Sequence, residues 1–419
     1  MIWNRSSLRA WLVCTSAGLF FFYEFFQLNL FDVINPALRQ DFNLNATQLS
    51  WMSSAYLWAD ILFLLPAGIL LDRYSVRRII LAAMLLCILS TLGFALTHTF
   101  WIAFFFHFLS GIGNAFCFLS CIQLVTRWFP PHRHAFVIGS LVTMAFLGGM
   151  MAHTPLAWLS DVFGWRTALV IDAAVGGFFF LWIWQMVADY PERLTTESNP
   201  TIKVSSHKEA MYSLRSSLNQ AFGNPQNWFA GIYTSFLNLP IMVLCALWGA
   251  SYLQTVHHLP PMSASNIVSL IFLGSIVGCP VIGWLSDHQT KRKPLMIVGA
   301  IVTLILELPF ILQIPLSQTL LSTLFFSLGF VTSTQVISYP LIAASNPPEN
   351  TGAATGIASI LIMGGAALGQ VAFGFLMQYP TTLMVPGYTA SDFQRAMWMF
   401  PLTALGALVA GLLIRERRC

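Results

Sequence analysis

Six ionisable side chains sit inside long apolar runs of this 419-residue chain: Glu24, Asp60, His107, His153, Asp172 and Glu307. Such groups are costly to place in a bilayer and are functional candidates by default. No Lys or Arg stands in the same runs to neutralise the acids. The chemistry open to such a set is proton movement, because histidine changes charge near neutral pH. Glu24 and His107 each lie ~9–12 Å from the same end of their helices at 1.5 Å per residue. They could therefore meet as a protonation switch, with Asp60 as a third member. The alternative is a neutral, hydrogen-bonded His107 beside a permanently protonated or locally paired Glu24.

The elements that must position these groups follow from composition. The chain is 57% hydrophobic and 9% charged, far below the ~25% charge of a soluble domain. It is therefore an integral membrane protein. Apolar runs bounded by Pro, Gly, Asn or charge predict helices at 10–32, 48–71, 79–98, 101–126, 134–158 and 164–188. Six more follow at 227–253, 265–286, 294–313, 316–345, 351–378 and 393–413. The expected fold is all-α, with twelve transmembrane helices in two pseudo-symmetric six-helix bundles. The expected organisation is an N-terminal bundle over 1–188, a connector over 189–226 and a C-terminal bundle over 227–419. In the connector, Met211, Leu214, Leu218 and Phe222 recur at helical spacing opposite Lys208, Arg215 and Gln220, which predicts a short interfacial helix.

Cation placement predicts orientation. With the N-terminus cytoplasmic, seventeen of the twenty Lys and Arg fall on the inner side, leaving Arg39, Arg166 and Arg395 outside. Both termini are expected to be cytoplasmic, and the short loops suggest a bacterial inner membrane. The net charge of +4 is spread over helix ends and excludes a nucleic-acid groove reader. Six of the seven cysteines lie in apolar runs and none form C-x-x-C, so neither a metal nor a cofactor is expected.

The halves resemble each other. Gly68, Leu70, Asp72 and Arg73 after the second helix, followed by Arg77 and Arg78, recur as Gly283, Leu285 and Asp287 after the eighth, followed by Lys291, Arg292 and Lys293. On these residues the chain resembles the major facilitator superfamily of secondary transporters. The first loop looks like the family's G-x-L-a-D-r-x-G-r-r signature, with Ser75 where the pattern prefers Gly. Thr126–Pro131 with Arg133 and Ala135, Gly164-Trp165-Arg166 and Gly352-Ala353-Ala354-Thr355-Gly356 are similar to further family loops. The resemblance implies alternating access, with Gly68, Asp72, Arg73, Arg77, Gly283, Asp287 and Arg292 as a gating motif. In that reading Arg73 and Arg77 bridge to the opposite half, while Arg78 and Lys293 set topology.

His107 leads Ser110-Gly111-Ile112-Gly113, which resembles the family's span-four R-x-x-x-G-x-G with His in the Arg position. Several proton-coupled members pair an acid in span one with that basic residue. The resemblance further implies that Tyr23, Gln27, Asn114, Gln123, Tyr233, Asn238, Gln335, Tyr339 and Gln370 could line a substrate cavity, with Ser338 beside them. Asp172 and Glu307 fall on helices that usually support rather than line it.

A core without cations fits phosphate esters and dicarboxylates poorly. A neutral, zwitterionic or cationic organic solute, carried with protons by a monomer, is expected. Asn35-Pro36 through Asp72, and Trp248-Gly249 with Tyr252-Leu253, resemble the branch that includes lysosomal dipeptide carriers, which implies peptide or amino-acid-like solutes. The rivals are a proton antiporter for hydrophobic drugs and a siderophore-type carrier. The drug exporters' G-x-x-x-G-P run is missing from span five, which reads Phe146-Leu147-Gly148-Gly149-Met150-Met151. An intramembrane enzyme would need a compact catalytic set, and none is present. A transporter-like sensor is the remaining alternative.

Overall fold

In hydrocarbon every backbone N–H and C=O must be satisfied internally, so apolar runs of this length cross as helices. The computed structural model describes residues 5–130, 133–191, 219–289, 291–347, 351–378 and 388–415, and twelve helices in it are long and apolar enough to span a membrane. Spans 1–6 are Leu8–Phe42, Ala46–Leu71, Val76–Leu96, Phe100–Trp128, Phe136–Phe163 and Trp165–Met186. Spans 7–12 are Pro225–Val256, Pro261–Ser286, Lys293–Leu312, Gln318–Ser345, Ala354–Gln378 and Ala390–Leu413. Leu62, Trp101, Phe136 and Phe178 are each more than half exposed, an apolar exterior suited to lipid rather than water. The protein is a multi-pass integral membrane protein.

Span 1 runs ten residues beyond its expected end. Asn35-Pro36 does not stop it: Pro36 lies inside the helix, where it leaves the Asp32 carbonyl without its usual donor. The helix ends at Asn43, whose φ of 51° is one that Asn tolerates, and Leu44 N–H closes the cap on Arg39 O at 3.0 Å. A capping box of Asn45 and Gln48 then starts span 2. Four spans are interrupted. Span 5 breaks between Met151 and Thr154, span 7 contains a π-helix at Ile241–Trp248, span 10 contains a 3-10 turn at Ser333–Ile337, and span 12 breaks at Trp398.

The chain forms two compact units. Unit 1 holds the described residues through Pro191 together with Ala246–Ser251 and Pro260–Ser269, and unit 2 holds the remaining described residues. The same packing pairs recur in each. Span 1 packs on spans 4 and 5 and span 3 on spans 4 and 6; span 7 packs on spans 10 and 11 and span 9 on spans 10 and 12. Close approach is licensed by glycine at matching places. A Cβ on Gly111 of span 4 would collide with the carbonyl oxygen of Tyr56 in span 2, and one on Gly329 of span 10 with that of Ile271 in span 8.

At one end of unit 1, Arg166 ties three spans together. It donates to Ala95 O and Thr97 O at 2.8 and 2.6 Å and lies 3.5 Å from Asp41. Trp165 donates to the same Asp41 carboxylate at 2.9 Å. In the connector, Met211, Leu214 and Leu218 lie outside the described residues, as do Lys208 and Arg215. Residues 219–223 are helical, with Phe222 exposed against Trp228.

Candidate functional site

Glu24 is fully buried at the crossing of spans 1, 2 and 4. Gly113 makes its room, because a Cβ there would occupy the space of Glu24 Oε1. Tyr56 Oη stands 2.7 Å from Glu24 Oε2 and 2.9 Å from Glu24 O. One hydroxyl proton can serve only one of these acceptors. Both contacts are satisfied when Tyr56 donates to the backbone carbonyl and a protonated Glu24 donates to the phenol oxygen.

His107 also lies beside Tyr56, with ring centroids 5.4 Å apart, and packs against Phe31 at 4.2 Å. Its hydrogen-bond partner is the Ser53 backbone. Glu24 and His107 therefore share Tyr56 as a common neighbour instead of forming an ion pair with each other. Asp60, one helical turn beyond Tyr56, is buried and hydrogen-bonds to Asn114 of span 4. Asn114 thus has an acid as its partner.

Tyr23 and Gln27 converge on a third acid. Gln27 Nε2 donates to Asp172 Oδ2 at 2.5 Å, Tyr23 Oη lies 3.5 Å from the same oxygen, and Thr91 Oγ1 donates to Gln27 Oε1 at 3.2 Å. Asp172, expected to be only a support on span 6, is the centre on which two expected cavity residues close.

A second acidic centre is absent from the sequence reading. Asp32, eight residues past Glu24, is fully buried and accepts from Ala250 N–H at 2.9 and 3.1 Å, with His153 Nδ1 3.5 Å away. Asn35 donates to Leu247 O at 2.8 Å. All of these residues belong to unit 1. The wider turns of a π-helix leave backbone groups unpaired where it reverts to α, and Asp32 and Asn35 satisfy such groups at the end of Ile241–Trp248. The missed signal was the i, i+3, i+11 ladder of Asn35, Asp32 and Glu24 read backwards along one helix.

In unit 2 the expected residues are mostly neutral and already engaged. Tyr233 is buried and donates to Met296 O at 2.8 Å. Gln370 Nε2 donates to Met242 O at 2.9 Å, and its Oε1 is buried without a hydrogen bond. Asn238 and Ser338 are buried, Gln335 is half-buried and Tyr339 is exposed. Gln123 of unit 1 accepts from Arg127, one turn away on the same helix, at 2.8 Å. That bond places it in a helix-end pair. Glu307 is buried in span 9. Among the described residues no group of three His, Cys, Asp or Glu is placed to hold a metal ion.

The family model for the Major Facilitator Superfamily matches residues 17–370. The chain belongs to the major facilitator superfamily. It is 26% identical over 278 residues to an uncharacterised transporter, YybO, of Bacillus subtilis, covering 63% of each chain. It is 21% identical to the hexuronate transporter of the same organism over 83% of each chain. To the D-galactonate transporter of Escherichia coli O6:H1 it is 22% identical, over 92% of this chain and 90% of that one. Solved structures show the same fold. A D-xylose-proton symporter matches with a TM-score of 0.75 at 17% identity over 98% of this chain and 97% of that one. An inward-facing bacterial homologue of the human lysosomal transporter Spinster matches with a TM-score of 0.73, also at 17% identity, over 97% and 95%.

Membership makes the protein an alternating-access transporter of a small solute and not an enzyme. Ser75, in the glycine position of the loop between spans 2 and 3, has φ −60° and caps span 3 by accepting from Arg78 N–H at 3.2 Å. No glycine is needed there. Ser75 Oγ donates to Asp189 Oδ2 at 2.5 Å, Arg77 N–H donates to Asp189 Oδ1 at 2.9 Å, and Arg127 lies 3.9 Å from that carboxylate. The Arg77 guanidinium donates to Trp184 O. These bonds of Arg77 run to the end of span 6 within its own unit. Asp189, the first residue of the predicted connector, is the hub of the loop. Arg73 is exposed and Arg292 half-buried, and Gly68 and Gly283 have open space where a Cβ would stand. The side chains of Asp72 and Asp287 lie outside the described residues.

Proposed function

We propose that this superfamily member is a proton-coupled carrier of small polyhydroxylated organic acids. The observation that carries the coupling is the concentration of Glu24, Asp60, Asp172 and His107 in the buried core of one unit, where Tyr56, Asn114 and Gln27 supply hydrogen bonds. Acids without a buried Lys or Arg among them can be stable only by holding protons or hydrogen-bond donors. A carboxyl group that holds a proton can donate it to an incoming solute carboxylate, so the anion and a proton travel together without a fixed cation.

The substrate class leans on names that belong to other proteins, hexuronate and D-galactonate. A monocarboxylate with many hydroxyls suits a core of carboxyls, amides and phenols. Doubly charged acids and phosphate esters still want fixed cations. This reading moves the favoured solute from peptides, which rested on loop resemblance, to sugar acids. A bacterial inner membrane, cytoplasmic termini and a monomeric carrier complete the proposal.

The test is uptake into proteoliposomes of purified protein with labelled D-glucuronate or D-galactonate. A proton gradient of one pH unit, acid on the entry side, should raise accumulation about tenfold for one coupled proton. Glu24→Gln should lose the gradient dependence while keeping counterflow exchange. Flux of a sugar acid that ignores the gradient overturns the coupling. Competition by dipeptides or hydrophobic cations, with none by sugar acids, overturns the substrate class.

A further inference from the structure

The titratable core of unit 1 contains a small cavity. Its polar lining is Gln27, Ser90, Thr91, His107 and Ser110, and Phe31 and Phe94 form its apolar walls. Gln27 is committed to Asp172 and Thr91, Thr91 also reaches Cys87 O at 3.0 Å, and Ser110 donates to His107 O at 3.0 Å. Ser90 is different. It is 2% exposed, and its hydroxyl makes no hydrogen bond to any protein group. A buried hydroxyl left without a partner is unfavourable, and a polar void of this kind is where proteins hold an ordered water.

His107 presents the complementary need. One ring nitrogen is used by the Ser53 backbone. The second nitrogen must accept a hydrogen bond when the ring is neutral and donate one when it is charged. The ring otherwise meets Phe31, Tyr56 and Phe94, with ring centroids 4.2, 5.4 and 5.9 Å away. A water can meet both demands, because it donates or accepts by turning in place.

We propose that this cavity is a water site in which one water bridges Ser90 Oγ and the His107 imidazole, with Thr91 and Gln27 as its further neighbours. The water solvates either charge state of His107, so the ring can gain and lose a proton without leaving its pocket. Ser90 is then a positioning residue for proton coupling. The other titratable groups facing this core are Tyr23 and Glu24 of span 1, Tyr56 and Asp60 of span 2, Cys87 of span 3, Cys117 of span 4 and Asp172 of span 6. The role assigned to Ser90 rests on the proposed proton coupling; the water site itself does not.

A high-resolution crystal structure of the full-length protein, beside that of Ser90→Val, tests the site without any substrate. The expected result is one ordered density within hydrogen-bond distance of Ser90 Oγ and the His107 ring, lost in Ser90→Val and kept in Ser90→Thr. A wild-type cavity without density, in a map that shows other buried waters, overturns the site; so does a density indifferent to Ser90→Val. Coupled uptake of D-galactonate tests the consequence. Its half-maximal pH should move about one unit more acid in Ser90→Val and return in Ser90→Thr. An unmoved profile with the density present overturns the positioning role alone. Absence of any D-galactonate flux in wild type counts against the proposed function and leaves the density result standing.

Discussion

The two units build the same helix crossing and fill it with opposite chemistry. In unit 1, Gly111 of span 4 rests on the Tyr56 carbonyl of span 2; in unit 2, Gly329 of span 10 rests on the Ile271 carbonyl of span 8. One turn before each glycine stand His107 and Phe325. The residue beneath is Tyr56 in one case and Ile271 in the other, both fully buried. One turn further along, Asp60 and Asn114 of unit 1 correspond to Ser275 and Thr332 of unit 2. There the hydroxyls bond back to helix carbonyls, Ser275 to Ile271 O at 3.0 Å and Thr332 to Leu328 O at 2.8 Å. Packing therefore does not demand the charges of unit 1. An apolar and hydroxyl filling satisfies the same geometry, so under the proposed function the acid and imidazole set is an addition to a shared scaffold.

The largest expected effect breaks the shared part. Gly111→Leu and Gly329→Leu each drive a side chain into a backbone carbonyl. Overpacking of this kind costs about 1–3 kcal/mol or more, and a marginally stable bundle should lose much of its folded yield in either case. Size-exclusion profiles and thermal unfolding in detergent measure this. A large loss at one glycine and none at the other would show that the crossings are not equivalent.

Exchange of the fillings sharpens the comparison further. His107→Phe, which installs the unit 2 residue, should keep the folded yield while lowering gradient-driven uptake by about a hundredfold, the scale of a lost proton-transfer group. The reverse exchange, Phe325→His, buries an imidazole without partners and should cost about 1–3 kcal/mol of stability. If His107→Phe unfolds the protein instead, the ring serves the scaffold and the distinction between the units fails. The double exchange Asp60→Ser with Asn114→Thr should leave stability near or above wild type, because burying a carboxyl group is costly and the hydroxyls of unit 2 meet the same geometry. The pH dependence of uptake should nonetheless flatten.

How much of this was legible beforehand depended on whether a residue's partner was local. Twelve apolar runs with Glu24 and Asp60 inside them could be read from spacing alone, and Gly111 came with the family's span-four pattern. Gln123 could have been read better: Arg127 is four residues on, and that spacing puts the two side chains on one helix face. Asp32 was lost because Asn35-Pro36 resembles a helix end, whereas Pro36 removes one backbone bond and the helix continues to Asn43. Asp172 and Asp189 were beyond reach for a different reason. Their partners Gln27, Tyr23, Ser75 and Arg77 lie more than a hundred residues away, and no periodicity along one helix encodes a contact between two.

The smallest effect concerns the loop in which sequence and family pattern part. Ser75 occupies the glycine position, yet its backbone is in a region open to any residue, and its hydroxyl both caps span 3 and donates to Asp189. Restoring the pattern with Ser75→Gly removes both roles. Loss of an N-cap costs about 0.5–2 kcal/mol when alanine replaces serine and a few tenths with glycine, so Ser75→Ala should be the more damaging change. Asp189→Asn keeps an acceptor for Ser75 and for the Arg77 N–H but removes the charge that faces Arg127 at 3.9 Å. That ion pair is long and only about a fifth exposed, and at such a separation it is worth about 1 kcal/mol or less. The expected order of destabilisation in thermal unfolding is Ser75→Ala, then Ser75→Gly, then Asp189→Asn. A reversal with Asp189→Asn first would mean that the carboxylate, and not the cap, holds spans 3 and 6 together at this end of unit 1.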